Sequence, residues 1–316
     1  MIQPQYLKAF SAPHTRNTSG KRDERMPLYI ANTEQWRATA ETTDLSTLIL
    51  QAPGLQILQQ AKSALPDRRP NDEPQNIFEL RNTLSARRPY VLLPTVCPSI
   101  LLTLHAHASA CYLCGPLTAA RKVFIPANAV VMCVQLKPGQ LWRFNKRLPS
   151  GLTNQVIPLY KCFVDADILL DCLNQQTSSH GRVREILQFL NRKYADSLNP
   201  DPVIAQCLES MQRTQGICRI REIANTTARS ERFLSRSFRD VIGLSMKTYC
   251  EILKFQNSLF GISTLQPRNL TSVANDFGYY DLPHMNRAYR KFINHTASDV
   301  RFISPEEMYI QELPLE

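Results

Sequence analysis

Hydrophobic and polar positions change their texture along the chain. Up to about residue 40 the sequence is polar and aperiodic, which predicts a loose arm. A helical segment is expected within Leu45–Leu65, and ALPDRRPNDEPQN (64–76), rich in proline and charge, reads as a loop or linker. From about Arg88 come short runs rich in Val, Ile, Leu and aromatics: YVLLPTV, SILLTLHAHA, ACYLCG, KVFIPA and AVVMCVQLKPG. Proline and glycine signals separate them, so they predict consecutive β-strands, arranged as a small barrel or sandwich. After Leu159 the period lengthens. ADILLDCLNQQ and GRVREILQFLNRKYAD carry apolar residues at three- and four-residue spacing, as at Val183, Ile186, Leu187 and Leu190. NPDP (199–202) then breaks the pattern, with Asp201 placed as an N-cap and Pro202 at the first helical position.

From Pro202 to Arg301 the pattern predicts helices near Val203–Arg213, Ile220–Asn225, Ser230–Ile242, Met246–Gly261, Leu270–Phe277 and Leu282–Ile293. The expected fold class is α+β: a β-rich, barrel-like domain with flanking helices, then an all-α domain. The expected divisions are an arm and linker (1–80), the β-rich domain with its helical end (81–200), the all-α domain (201–303) and a tail (304–316).

A single pattern occurs twice within the helical region. SERFLSRSFRDVIG, from Ser230, and DLPHMNRAYRKFIN, from Asp281, place the same kinds of residue at the same offsets. Leu234 matches Met285, Arg236 matches Arg287, Phe238 matches Tyr289, Arg239 matches Arg290 and Ile242 matches Ile293. On a helix of about 100° per residue, Arg232, Ser235, Arg236 and Arg239 share one face, while Leu234, Phe238 and Val241 share the opposite one. Such a helix buries its apolar stripe and projects guanidiniums outward. These always-charged forks fit phosphate oxygens and the O6/N7 edge of guanine.

The preceding IREIANTTARS predicts a short helix with Ile223 and Ala224 inward, followed by a turn. That is the layout of a helix-turn-helix, whose second helix enters the major groove. In the second copy, LTSVANDFGYYD supplies Val273 and Ala274, Gly278 in the turn and Asp281 as N-cap. Met285, Tyr289 and Phe292 are expected inward, and His284, Asn286, Arg287 and Arg290 outward. Leu282 and Pro283 stand where polar readers could sit. The first copy is therefore expected to discriminate bases, with Arg290 and Lys291 holding the second helix to phosphates. MKTYCEILKFQNSLFG, between the copies, predicts one continuous helix that sets their separation.

The bulk properties agree with this reading. A chain of 316 residues, 43% hydrophobic and 20% charged, is that of an ordinary globular protein of about two domains. The net charge of +10 points to a polyanionic partner. The N-terminal stretch lacks the apolar core of a signal peptide. The most apolar run, Tyr90 to Leu104, is interrupted by Pro94 and Pro98 and is too short to span a bilayer. A cytoplasmic location without a membrane partner is expected. Nine cysteines, scattered from Cys97 to Cys250, lack the spacing of a disulfide framework and are expected to be mostly reduced and buried.

One stretch carries competing chemistry. In HAHASACYLC, His105 and His107 would share one face of a strand, and Cys111 and Cys114 form a CxxC pair. A metal or redox centre, sensing or enzymatic, is the alternative this offers. Against it, a straight strand puts Cys111 and Cys114 on opposite faces, and no second CxxC exists. The sequence also lacks GxSxG, HExxH, a P-loop and a dinucleotide fingerprint, so neither a cofactor nor catalysis is expected. A second alternative is a non-specific architectural DNA protein, but such a protein needs no folded β-rich domain.

The last hundred or so residues resemble the DNA-binding domain of the AraC/XylS family of bacterial transcription regulators. The resemblance rests on S-x-x-x-L-x-R-x-F (Ser230, Leu234, Arg236, Phe238) followed by G-x-S-x-x-x-Y (Gly243, Ser245, Tyr249). It rests also on A-x-x-x-G-[FY] (Ala274, Gly278, Tyr279) leading into R-x-[FY]-[KR] at Arg287, Tyr289 and Arg290. Lys254 stands where the family has Arg, Asn294 where it has Gly and Ala297 where it has Pro. Asn tolerates the left-handed conformation that Gly supplies. GPLT (115–118) and the strand AVVMCVQLKPGQLWRF resemble the family's sensing domain. The resemblance implies a sequence-specific regulator that reads two successive major-groove segments of double-stranded DNA with helices 230–242 and 282–293. It implies RNA polymerase, a small-molecule effector and a homodimer as partners.

For HAHASACYLC the expected outcome is no stoichiometric metal. Elemental analysis of protein purified without chelators should find well below one zinc per chain. A full equivalent, lost on replacing Cys111 and Cys114 together, would establish a metal site.

Overall fold

The computed structural model describes residues 49–52, 55–60, 74, 76–105, 109–146, 148–194, 201–265 and 269–300. The expected arm before residue 49 and the tail from 304 lie outside the described residues, as do His107 and most of the 64–76 linker.

The N-terminal region is built on β1 (Ile49–Ala52), β2 (Leu55–Gln60), β3 (Asn76–Asn82), β4 (Arg88–Leu92), β5 (Ser99–Leu104), β6 (Ala110–Cys114), β7 (Arg121–Ile125), β8 (Val130–Gln135) and β9 (Val156–Pro158). Among the described residues, one antiparallel sheet has the order β1-β2-β3-β8-β5-β6-β9, and β4 pairs with β7 in a second. Ser99 faces Gln135 on one side and Cys114 on the other, which fixes the register of the central strands. The period of two then sorts the side chains between two cores. Leu101, Tyr112, Val131 and Cys133 pack with Val123 and Ile125 between the sheets.

Leu102, Leu113, Met132 and Val134 face the other way, towards helices. The helices that accompany the strands are α1 (Gln140–Phe144), α2 (Leu148–Leu152), α3 (Ala166–Gln175) and α4 (Ser179–Tyr194). Leu169 and Leu173 of α3 and Ile186 and Leu190 of α4 meet the sheet there. Each such fully buried side chain contributes about 1.5–3 kcal/mol. The same sheet buries one carboxylate, Glu79 of β3, and a buried charge must be paired. Arg81 Nε lies 2.5 Å from it and Arg182 Nη1 of α4 lies 3.4 Å away, so the ion pairs also fasten α4 to the sheet.

Two expectations are corrected here. The helix expected within Leu45–Leu65 is instead an antiparallel pair, β1 and β2, with Ile49 opposite Leu58. The sheet therefore reaches back to Ile49, well before residue 81. Pro53–Gly54 separates the two strands in sequence, which is a turn signal between two short apolar runs, LIL (48–50) and LQIL (55–58). The run AVVMCVQLKPGQLWRF is a strand only to Gln135. Gly139 caps α1, and the Lys137 N–H donates to Gln140 Oε1 at 2.7 Å, so QLWRF is helical.

The C-terminal region consists of α5 (Pro202–Arg213), α6 (Ile220–Thr227), α7 (Glu231–Ile242), α8 (Met246–Leu265), α9 (Leu270–Asp276), α10 (Leu282–Ile293) and α11 (Ala297–Val300). Asp201 accepts a hydrogen bond from the Val203 N–H at 2.9 Å, the cap expected for α5. The helix α8 runs four residues beyond the expected Gly261, and α11 adds a short helix that the pattern does not predict. Among the described residues no helix is long and apolar enough to cross a membrane.

The two regions touch. Leu93 and Val96 join the core of the helical region, and Gln256 Nε2 donates to the Pro94 carbonyl at 2.9 Å. The Ala120 N–H donates to the Phe292 carbonyl at 2.7 Å, and Thr153 Oγ1 donates to the Gly243 carbonyl at 2.7 Å. Gly243 ends α7 in the left-handed conformation, at φ 84°. A Cβ there would lie 2.3 Å from the Pro149 carbonyl oxygen on α2.

Replacing Gly243 with Ala should therefore destabilise the protein twice over. The left-handed backbone alone costs roughly 1–2 kcal/mol for a residue with a Cβ. The clash with α2 adds to that, so a loss of about 2 kcal/mol or more is expected in a urea titration. An unchanged midpoint would mean that the end of α7 and α2 are not held together.

Candidate nucleic-acid interface

The first unit folds as its capping residues dictate. The helix α6 ends at Ala228, which is left-handed at φ 51° and donates its N–H to the Ala224 and Asn225 carbonyls. The chain then reverses into Ser230, whose Oγ accepts from the Phe233 N–H at 3.2 Å and starts α7. Leu234, Phe238, Val241 and Ile242 are buried against α6 and α8, with Ile223 and Ala224 opposite them. On the other side Arg232, Ser235, Arg236 and Arg239 are all exposed. The α7 strip is thus a row of solvated cations and a hydroxyl on a helix whose inner face is fixed.

The second unit follows the same plan with one more residue in its turn. The Tyr279 N–H donates to the Ala274 carbonyl at 2.8 Å, and Asp281 Oδ1 accepts from the His284 N–H at 2.7 Å. Met285, Tyr289 and Phe292 are buried, and Arg287 and Arg290 are exposed. Two of the outward candidates are occupied internally. His284 is half-buried and its Nδ1 accepts from the Tyr280 N–H at 3.3 Å. Asn286 is half-buried and its Oδ1 accepts from the Ala297 N–H at 2.9 Å, capping α11. Lys291 differs from expectation in the same way, because its Nζ lies 2.6 Å from Glu251 Oε2 on α8.

The linker helix α8 is the common floor of both units. Phe238 of α7 meets Tyr249 edge-on at 5.4 Å, while Tyr289 and Phe292 of α10 meet Phe255 at 5.0 and 4.9 Å. Ser258 Oγ lies 3.0 Å from the Tyr289 hydroxyl, and burial pushes that hydroxyl's pKa well above its ordinary value. Asn294 closes α10 in the left-handed region at φ 59°, the geometry that Gly would otherwise supply.

Sequence reasoning passed over Phe233 and Tyr280. Phe233 stands 41% exposed on the flank of α7, with the Arg229 guanidinium 5.4 Å from its ring centre, and Tyr280 is 88% exposed just ahead of α10. The available signal was an aromatic residue beside an otherwise polar face.

The other candidate cluster is dispersed. Cys111 lies in the core beneath the helices and Cys114 in the core between the sheets, as the pleat of β6 requires. Burial pushes both thiols up to about 12. His105 follows β5 at its end, and no group of three or more His, Cys, Asp or Glu side chains suited to a metal converges among the described residues.

A family model described as a helix-turn-helix domain matches residues 223–302, from within α6 through α11. The C-terminal domain is an AraC-type helix-turn-helix domain. The chain is accordingly a DNA-binding transcription regulator. Among solved structures, the C-terminal domain of AraT, a response regulator from Geobacillus stearothermophilus, is 16% identical, with 32% of this chain and 84% of that chain covered and a TM-score of 0.30. ToxT from Vibrio cholerae is 9% identical, with 79% of this chain and 98% of that chain covered and a TM-score of 0.38. ToxT with a bound unsaturated fatty acid is 11% identical over 71% of this chain and 90% of that chain, at a TM-score of 0.33. No curated protein matches the sequence.

The caps of the two reading helices of the AraC-type domain give a direct test of its build. Ser230→Ala and Asp281→Ala each remove one side-chain acceptor from a helix N-terminus and should each cost about 1 kcal/mol in chemical denaturation. Equal midpoints for both variants and the unaltered protein would contradict the capping geometry.

Proposed function

We propose that α7 is the dominant base reader of this regulator and that α10 chiefly anchors the second groove segment. The observation that carries this is the asymmetry between the two outward faces. All four polar side chains of the α7 strip are exposed, whereas on α10 His284 and Asn286 are tied to the fold and Lys291 to Glu251. Arg236 sits at the centre of the first strip and reaches a base edge. Arg287 and Arg290 remain on the second helix and meet mainly phosphates, which fix register without reading sequence.

The β-rich domain takes a small-molecule effector in this reading. Thr103 Oγ1 and Gln135 Oε1 are buried without a hydrogen-bond partner on strands whose neighbouring side chains pack between the sheets, and a ligand with complementary polar groups would satisfy them. RNA polymerase and a second copy of the chain complete the set of partners. The reading is of a regulator, not a catalyst.

The test compares Arg236→Ala with Arg287→Ala on a panel of single-base changes in a duplex selected from random DNA. Arg236→Ala should cost roughly 1–3 kcal/mol on the best site and relax the preference at one base position. Arg287→Ala should weaken binding with a smaller loss of preference. The unaltered protein should favour the selected duplex over random duplex by at least about a thousandfold. A ratio near one would favour an architectural role, and a flatter profile for Arg287→Ala would reverse the assignment of the two helices.

A further inference from the structure

Two of the three cysteines of the helical domain, Cys218 and Cys250, form a pair that DNA reading leaves unused; Cys207 is buried apart from them. Cys218 lies in the segment between α5 and α6, and Cys250 lies on α8. Their sulfurs are 3.7 Å apart. We propose that Cys218 and Cys250 are a dithiol site, oxidised by hydroperoxides to a disulfide that ties the entry of the first helix-turn-helix unit to the linker helix.

The proximity is a property of the backbone as well as of the thiols. Gly216, at φ 81°, packs so closely on α8 that a Cβ would lie 2.4 Å from the Cys250 carbonyl oxygen. A disulfide needs sulfurs at about 2.05 Å, so closure asks for an approach of about 1.7 Å, the scale of a side-chain adjustment. Cys218 is half-buried and Cys250 is buried, which gives an external oxidant access to Cys218 first.

The surroundings divide the roles. The Cys218 pKa is lowered by its hydrogen bond with Cys250, helped by Thr214 and the Lys254 ammonium, against burial and Glu222. That of Cys250 is raised by the same hydrogen bond and by burial, with Lys254 opposing and Glu251 adding. The more exposed Cys218, whose pKa is lowered, is the thiol that reacts first, and the buried Cys250 is its partner. By contrast, Cys111 and Cys114 are held protonated by burial in the β-rich domain, with pKa values pushed up to about 12.

The chemistry balances with a hydroperoxide as the oxidant. The Cys218 thiolate attacks one peroxide oxygen, so an S–O bond forms, the O–O bond breaks and hydroxide leaves. Cys250 sulfur then attacks Cys218 sulfur, forming the S–S bond and breaking the S–O bond. The departing hydroxyl and the earlier hydroxide leave as water, taking up the protons of the two thiols. For hydrogen peroxide the sum is two thiols and one peroxide giving one disulfide and two waters. Both sulfurs are oxidised and both peroxide oxygens reduced. The bond joins residues 32 apart in sequence, and the loop it closes contains all of α6 and α7.

The test uses the reduced full-length protein, treated with one equivalent of hydrogen peroxide, quenched with N-ethylmaleimide and mapped by mass spectrometry. The expected result is the loss of two thiols, a single linked peptide joining Cys218 to Cys250, and full recovery with dithiothreitol. The oxidised protein should also melt several degrees higher, because the closed loop constrains the unfolded chain. Cys218→Ser, a substitution at a half-buried position whose fold is checked by circular dichroism, should leave Cys250 reduced at the same dose. Thiol consumption there should fall by about tenfold or more, since the thiolate is the nucleophile. A linkage between other cysteines, oxidised Cys218 beside a still-alkylated Cys250, or oxidation of Cys250 in Cys218→Ser overturns the site. An unchanged melting midpoint in the linked protein overturns the tie.

Discussion

Both candidate reading helices, α7 and α10, rest on aromatic contacts to one linker helix. Phe238 meets Tyr249, and Tyr289 with Phe292 meets Phe255, so α7 and α10 are each seated on α8 by ring contacts at about the same distance, 4.9 to 5.4 Å. Edge-on pairs such as Phe238–Tyr249 and Phe255–Tyr289 add about 0.5–1.5 kcal/mol beyond the area they bury. Their larger effect is directional. A helix is a rigid rod with side chains at fixed angles, so clamping Phe238 inward determines where Arg232, Arg236 and Arg239 point. Phe238 and Tyr289 are equivalent positions of the internal repeat, and the repeat therefore encodes the seat and the reading face together.

The helical domain was legible because its information is local. A cap and a stripe three or four residues wide specify α7 and α10, and Ser230 and Asp281 accept the amide hydrogen bonds that their positions implied. The first strands were hidden for the opposite reason. β3 carries Glu79 into a buried position, which no local pattern allows, and its partner Arg182 arrives from a helix 103 residues away. Ahead of β3 the Pro53–Gly54 turn signal was outweighed by the polar, proline-rich stretch 64–76, which reads as a linker between domains rather than a connection within one sheet.

The candidate reading faces show a subtler limit. A helical wheel places His284, Asn286 and Lys291 outward, and geometrically that is where they begin. Three backbone or side-chain groups outside the helix then claim them: the Tyr280 N–H, the Ala297 N–H and the Glu251 carboxylate. Each capture depends on how a neighbouring segment folds over α10, which periodicity within α10 cannot carry. The same holds for Cys218 and Cys250, whose nearness is set by the packing of a loop against α8.

The hydrogen bonds between the two regions of the molecule fall at mechanically telling places. Thr153 grips the C-terminal end of α7, and Ala120 grips the last turn of α10. Together with α8 these make a closed truss, in which the angle between the two readers is fixed by two separate load paths. A truss of this kind accommodates strain poorly. One base pair inserted between the two halves of a binding site would rotate one half against the other by about 34°. With α7 and α10 both docked as proposed, following it would require the protein to bend its linker helix and release its grip on the β-rich domain in the same movement.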